Sequence, residues 1–355
     1  MRIPFADASP WVFSAAFLAL SFPGTPPCVA ADVAAAPTLL EIASDPILER
    51  ALYADPTRLL SGVGQVNEFG AVAENAGSGG SSHPAETSPM NLEAQRWGAD
   101  LVQASLAMRK DPTAGLNVTL YGLSHERSDG SFGPENDFQH VSFFLEGAAR
   151  TFLLLRQAKS PLFETSGKNA IPKLELAAER FIQSGDLKKQ EEKGLLFTHR
   201  FYLAAAALGE VAALTGNPAF ADQAMRLARK GLAQAKADGT NPEKGGFDLN
   251  YNAASALFAE RYYLVCPDHE LRLNLKNMIR ASLRREQKAV LPNGDLSLSG
   301  STRAGVDAKH DGSGQVKGKD TKGILQAFVL GASIEQVPEF GELAKKIAEF
   351  RGWWK

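Results

Sequence analysis

The chain has 355 residues, 44% of them hydrophobic, and a formal net charge of −2. That length suffices for one large domain or two small ones. The near-neutral balance lacks the basic excess that a nucleic-acid or anionic-membrane partner would call for, so no nucleic acid is expected among its ligands.

At the N-terminus Arg2 precedes an apolar run from Trp11 to Phe22, and a Pro-rich break leads to the small residues Val29, Ala30 and Ala31. Residues 1–31 read as a secretory signal peptide cleaved after Ala30 or Ala31, because the apolar run is too short to span a bilayer comfortably. The expected mature protein is periplasmic or secreted, with no membrane anchor once the leader is cut. Cys28 leaves with the leader and Cys266 is then the sole thiol, which excludes an internal disulfide or a Cys-based zinc site.

Next comes an N-terminal helical segment, 32–60, amphipathic over Thr38–Leu60. Residues 61–91 are rich in Gly, Ser, Ala and Glu and read as a flexible linker. The main domain is then 92–355. It opens with a helix over Leu92–Lys110, ended by Pro112 and Gly115. Leu116–Leu123 alternates weakly and is expected as a short strand, as is Leu296–Ser299 after the turn Pro292-Asn293-Gly294-Asp295.

The remaining helices alternate in character. Phe138–Gln157, Phe201–Thr215, Asn252–Val265 and Asp320–Gly331 are apolar nearly all round, whereas Lys173–Gln183, Ala219–Asp238, His269–Gln287 and Phe340–Trp354 have one apolar face. Buried helices paired with half-exposed ones, at intervals of roughly fifty to seventy residues, predict an all-α fold: an α/α toroid, as an incomplete barrel of helical hairpins.

In such a ring the loops leading into the inner helices share one face. Glu135, Asn136, Asp137, His140, His199, Arg200, Tyr202, Asp248, Asn250, Tyr251, Asn252, Arg303, Asp320 and Lys322 would converge there. Asn136 and His140 are four apart and share a helix side. His140 suits a general acid or base and Asn136 a donor to a carboxylate or oxyanion, while capping is the structural alternative for Asn136 and Asp137. In Gly245-Gly246-Phe247-Asp248-Leu249-Asn250-Tyr251, Tyr251 offers a proton-transfer group and Asp248 a carboxylate; a turn with Asp248 or Asn250 as cap stands equally open. Arg200 and Arg303 sit beside hydroxyl residues, and a guanidinium can grip a planar carboxylate with two parallel hydrogen bonds. No glycine-rich nucleotide loop, Gly-x-Ser-x-Gly elbow, His-Glu-x-x-His pair or ordered calcium loop occurs, so no cofactor and no metal is expected.

Asp129-Gly130-Ser131-Phe132 followed by Asn136, Asp137 and His140, together with Gly246-Phe247-Asp248-x-Asn250-Tyr251, resembles the inner-loop signatures of secreted α/α-toroid carbohydrate-active enzymes, the alginate-lyase and heparinase-like polysaccharide lyases. The resemblance extends in architecture from Leu92 to the C-terminus and implies an anionic polysaccharide as partner. It implies β-elimination, with Arg303 or Asn136 neutralising a uronate carboxylate, His140 or Tyr251 removing the C5 proton, and Tyr251 or a neighbour protonating the departing oxygen. His140 and Tyr251 are then the catalytic candidates, and Asn136, Arg200, Asp248, Asn250 and Arg303 the substrate-binding ones. A glycoside hydrolase using carboxylates among Glu135, Asp137 and Asp248, or a non-catalytic polysaccharide-binding or biosynthesis accessory protein, are the alternatives.

Overall fold

The structure is a computed structural model that describes residues 37–60, 65–67, 70–72, 91–133, 137–192, 197–303 and 318–354. The expected signal peptide, 1–31, therefore lies outside the described residues, as does Asn136. Among the described residues the fold is all-α, with only isolated β-bridges. None of their helices is long and apolar enough to cross a membrane.

Short turns α1 (Leu39–Ala43), α2 (Pro46–Leu48) and α3 (Pro56–Leu59), with a π-helical turn over Glu49–Tyr53, come first. Thr38 starts them with a reciprocal cap: its hydroxyl accepts from Glu41 N–H, and Glu41 accepts from Thr38 N–H at 2.6 Å. This segment bridges distant parts of the body. Leu40 N–H donates to Gln157, Gln103 to the Tyr53 hydroxyl, Lys322 to the Leu59 carbonyl, and Arg58 to the Trp353 carbonyl. Within 61–91, Val72 is buried and exchanges two hydrogen bonds with the Gln95 side chain, so part of the expected linker is held against the body.

The body consists of α4 (Trp97–Ala107), α5 (Thr113–Ser124), α6 (Phe138–Gln157), α7 (Lys168–Gln183), α8 (Gly185–Glu192), α9 (Thr198–Thr215), α10 (Pro218–Gln234), α11 (Leu249–Val265), α12 (His269–Gln287), α13 (Thr321–Glu335) and α14 (Pro338–Phe350). Helix α4 packs on α6, α6 on α9, α9 on α11 and α11 on α13. Each of α9, α11 and α13 also pairs with the amphipathic helix that follows it. Four consecutive alanines, Ala204–Ala207, are fully buried in α9, where small side chains let several helices approach at once.

Leu116–Leu123, expected as a strand, is helical. Leu116, Thr119 and Leu123 recur at helical spacing on a buried face, and Gly115 lies so close to α4 that an added Cβ would come within 2.6 Å of the Gly98 carbonyl. Alternation over eight residues is compatible with both periods, and the α4 contact decides it. The expected strand at Leu296–Ser299 is reduced to one bridge, Val290 to Leu296. Helix α8 had no expected counterpart, being polar with only Leu187 and Gln190 buried.

Asp137 caps α6, Asp248 caps α11, Asp268 caps α12 and Asp320 caps α13, each accepting from a first-turn N–H. Below these N-termini the interior carries a charged network. Arg150 of α6 donates to Asp100 and Gln103 of α4 and to Glu146, and Arg261 of α11 reaches the same Glu146 at 2.8 Å. Phe143 of α6 meets Phe258 of α11 edge-on at 5.8 Å. These contacts link α4, α6 and α11 in the interior.

Candidate functional site

Hydrogen bonds join the N-terminal ends of the buried helices. Gln139 donates to Glu93, just ahead of α4, and accepts from Arg200 at the start of α9. His199 of α9 lies 4.6 Å, ring centroid to ring centroid, from Tyr251 of α11. Asn250 of α11 accepts from the Asp320 N–H ahead of α13. Polar side chains of α6, α9 and α11, with Glu93 ahead of α4 and the Asp320 amide ahead of α13, therefore gather at one end of the buried helices, the mouth of the candidate site.

The centre of this group is Glu243, a residue sequence reasoning passed over. Lys244 and Gly245 both have positive φ, 49° and 89°, and close a two-residue turn in which Glu243 and Gly246 exchange backbone hydrogen bonds. The turn directs the Glu243 carboxylate, 1% exposed, between two partners. One oxygen accepts from His199 Nδ1 at 2.9 Å, and the other from Arg303 Nη1 at 2.5 Å. Burial raises the Glu243 pKa, but the facing charge and hydrogen bond of His199, with Arg303 behind them, outweigh it and hold the carboxyl below its ordinary value. An ionised Glu243 only accepts hydrogen bonds, so His199 carries its proton on Nδ1 and presents Nε2 as an acceptor while neutral. The Arg303 guanidinium lies over the Tyr251 ring at 4.2 Å and near Phe197 at 5.7 Å.

Asp248 fixes this geometry from below. Fully buried, it caps α11 through Tyr251 N–H at 3.1 Å and accepts from the Ser301 hydroxyl and Arg303 N–H, each at 2.7 Å. The predicted substrate-binding carboxylate is thus a clamp holding Tyr251 and Arg303 in register. Asn250 is likewise a tie, donating to the Gly318 carbonyl and accepting from Asp320 N–H. The capping alternative is realised at Asp248, whereas Asn250 lies inside α11 and ties it to the segment ahead of α13.

On the neighbouring helix, Asp137 caps α6 and accepts from His140 Nδ1 at 2.6 Å. Burial pushes the Asp137 pKa up, yet its hydrogen bonds from the His140 ring and backbone bring it down to about 2. Arg200, between this pair and the Glu243 group, is partly buried; burial lowers its pKa, opposed mainly by the nearby Glu243 charge.

Of the predicted residues, then, Tyr251, Arg303 and Arg200 are brought together, with His140 one helix away, and His199, Glu243 and Phe197 complete the group. Three others turn into structural contacts. Tyr202 packs its ring against Gly231 of α10; Asn252 bonds Asn241 and Ser282; Lys322 lies 3.1 Å from the Trp97 ring centroid, with burial lowering its pKa to about 8. Thr198-His199-Arg200 was visible as a polar start to a buried helix. Glu243, four residues ahead of the turn's Phe247, carries no signal of its own beyond a carboxylate preceding Gly-Gly. Among the described residues no group of three or more His, Cys, Asp or Glu side chains is arranged to hold a metal ion. No protein-family profile, curated protein or solved structure matches the chain.

Proposed function

We propose that this protein is an exported polysaccharide lyase on an incomplete α/α toroid, cleaving a uronate-containing polysaccharide by β-elimination. The observation that carries the reading is the Tyr251 group: a partly exposed tyrosine with a guanidinium over its ring and an imidazole tilted against it, among the polar side chains at the N-terminal ends of the buried helices. The toroid is supported by the order of packing, α4 to α6 to α9 to α11 to α13, with the N-terminal segment spanning from α4 to α13 and α14. Export is supported by the Trp11–Phe22 run and the small residues after it.

β-Elimination needs three things: positive charge against the uronate carboxylate, a base for the C5 proton and an acid for the leaving oxygen. Arginine at the mouth supplies the first. His140, its Nδ1 proton directed to Asp137, removes the C5 proton. The C5–H electron pair becomes the C4–C5 double bond, the C4–O bond breaks, and the Tyr251 phenol protonates the departing oxygen. No water is consumed, and both groups are reset by exchanging protons with solvent. Asn136 lies outside the described residues, and its role as a substrate donor is proposed from the sequence alone.

Hydrolysis is the weaker reading because the described mouth carboxylates are committed: Glu243 to His199 and Arg303, Asp248 to the clamp, Asp137 to its cap and His140. A glycosidase needs one carboxyl as acid and a second as base or nucleophile. The mature protein, incubated with alginate, pectate, glucuronan and glycosaminoglycans, should produce far-ultraviolet absorbance from an unsaturated uronate. Reducing ends without that absorbance would mean hydrolysis, and binding with neither an accessory role.

A further inference from the structure

We infer that Arg200 is the anion receptor of this mouth, and that the group it takes is the carboxylate of a uronate residue. The inference rests on the lyase reading for its substrate class, but on separate observations for its site.

The two arginines at the mouth differ in what already holds them. Arg303 is ion-paired to Glu243 at 2.5 Å, so its charge is met at contact distance and its role is bound up with His199. Arg200 is held by neutral amides instead. Its Nη1 donates to Gln190 Oε1 at 2.7 Å and its Nη2 to Gln139 Oε1 at 3.3 Å, and no carboxylate among the described residues lies within ion-pair distance of it. Glu243, Tyr251, Arg303 and Asp137 act on it at longer range, Glu243 most strongly and Arg303 against it.

A partly buried guanidinium without a contact carboxylate is costly unless an anion completes it. Here the cost is accepted by construction. Gln139 is oriented by its own Nε2, which donates to Glu93 at 2.8 Å and thereby turns its carbonyl oxygen to Arg200. Gln190 is 6% exposed, spends its carbonyl oxygen on Arg200, and has a buried Nε2 with no hydrogen-bond partner among the described residues. Phe197 supports the guanidinium plane at 4.4 Å. Two of five N–H groups are used by the amides, which leaves enough for the parallel pair of bonds a carboxylate accepts. A compact ammonium would satisfy neither the stacking on Phe197 nor the forked geometry.

The test measures binding in the absence of turnover. The mature protein is titrated calorimetrically with uronate tetrasaccharides from alginate, pectate and glucuronan, each beside its carboxyl-reduced counterpart, at short times and low temperature. Wild type should prefer at least one acidic tetrasaccharide over its reduced form by about tenfold or more. In Arg200→Gln that preference should collapse, and in Arg200→Lys it should be partly kept. Circular dichroism and Tm without ligand establish that each variant is folded, and Gln139→Leu, which leaves the guanidinium in place, should weaken the preference a few-fold. No preference in wild type, or an undiminished one in folded Arg200→Gln, overturns the inference. Arg200-dependent binding without any unsaturated product would leave it standing and overturn the lyase reading, and elimination unaffected by Arg200→Gln would do the reverse.

Discussion

His199 and Glu243 come from different elements, forty-four residues apart, and meet in a buried hydrogen bond of 2.9 Å that fixes which imidazole nitrogen carries the proton. Because the second Glu243 oxygen holds Arg303, a single carboxylate orders two side chains that contact the Tyr251 ring. Glu243→Gln preserves size but must turn an N–H toward one of two donors. Its kcat on the uronate polymer is expected to fall about 10- to 100-fold with KM changed less. The 15N spectrum of the His199 imidazole should lose its fixed Nδ1-protonated form. An unchanged kcat together with an unchanged imidazole spectrum would remove Glu243 from the account.

Asp248 separates structural from chemical roles. Asp248→Ala removes the α11 cap and strands the Ser301 hydroxyl and Arg303 N–H, and should destabilise the fold by about 2 to 4 kcal/mol. Asp248→Asn can still cap Tyr251 N–H through its carbonyl oxygen, but its amide nitrogen would face two donors. It should therefore lose less stability than the alanine variant while still displacing Arg303. Urea denaturation reads the first effect, and turnover the second. Equal stability of wild type and Asp248→Ala would show that the clamp contributes nothing.

Glu210, Glu260 and Glu286 are buried; the carboxyl oxygens of Glu210 and Glu260 have no hydrogen-bond partner among the described residues, and Glu286 has the nearby Asn252 amide to counter its burial. Burial pushes all three pKa values well above the ordinary carboxyl value, aided by the Glu146 charge at Glu210, the Glu335 charge at Glu260 and the Asp248 charge at Glu286. The folded state thus binds protons that the unfolded chain releases near pH 4.3, about the ordinary glutamate value. Their contribution is fully present below that pH and is lost as pH rises through the raised folded values. Asp137 works in the opposite direction: with its folded pKa near 2, its contribution is present above the unfolded aspartate value and disappears as pH falls through about 2. Tm should decline from mildly acidic to alkaline pH, and Glu260→Gln, which stays neutral, should flatten that decline. A steeper decline in Glu260→Gln would contradict the assignment of a neutral acid at that position.

The helices and their alternation were legible because burial on all sides and burial on one side leave different residue patterns. Phe138–Gln157 and His269–Gln287 coincide with the expected spans. Leu116–Leu123 was misread because Gly98 and Gly115 set an α4–α5 approach that no local pattern announces. At the site, Tyr251, Arg200 and Arg303 were legible as chemistry-bearing residues in polar loops ahead of buried helices. Asp248 and Asn250 were ambiguous for a physical reason: an acid or amide before a helix serves equally well as a cap or as a ligand, and only the positions of Ser301, Arg303 and Asp320 decide. Glu243 was invisible because its importance comes from a tertiary meeting of α9, its own turn and the 301–303 loop.

The most direct measurement is the rate of unsaturated-uronate formation by wild type and Tyr251→Phe on whichever acidic polysaccharide the wild type binds, with tetrasaccharide affinity measured alongside. The substitution removes the hydroxyl, and with it the transferable proton, while keeping the ring. Wild type is expected to form the unsaturated product, and Tyr251→Phe to lose at least about 100-fold in kcat with affinity preserved. Full elimination activity in Tyr251→Phe, or wild-type cleavage that yields reducing ends without the unsaturated product, would contradict the account.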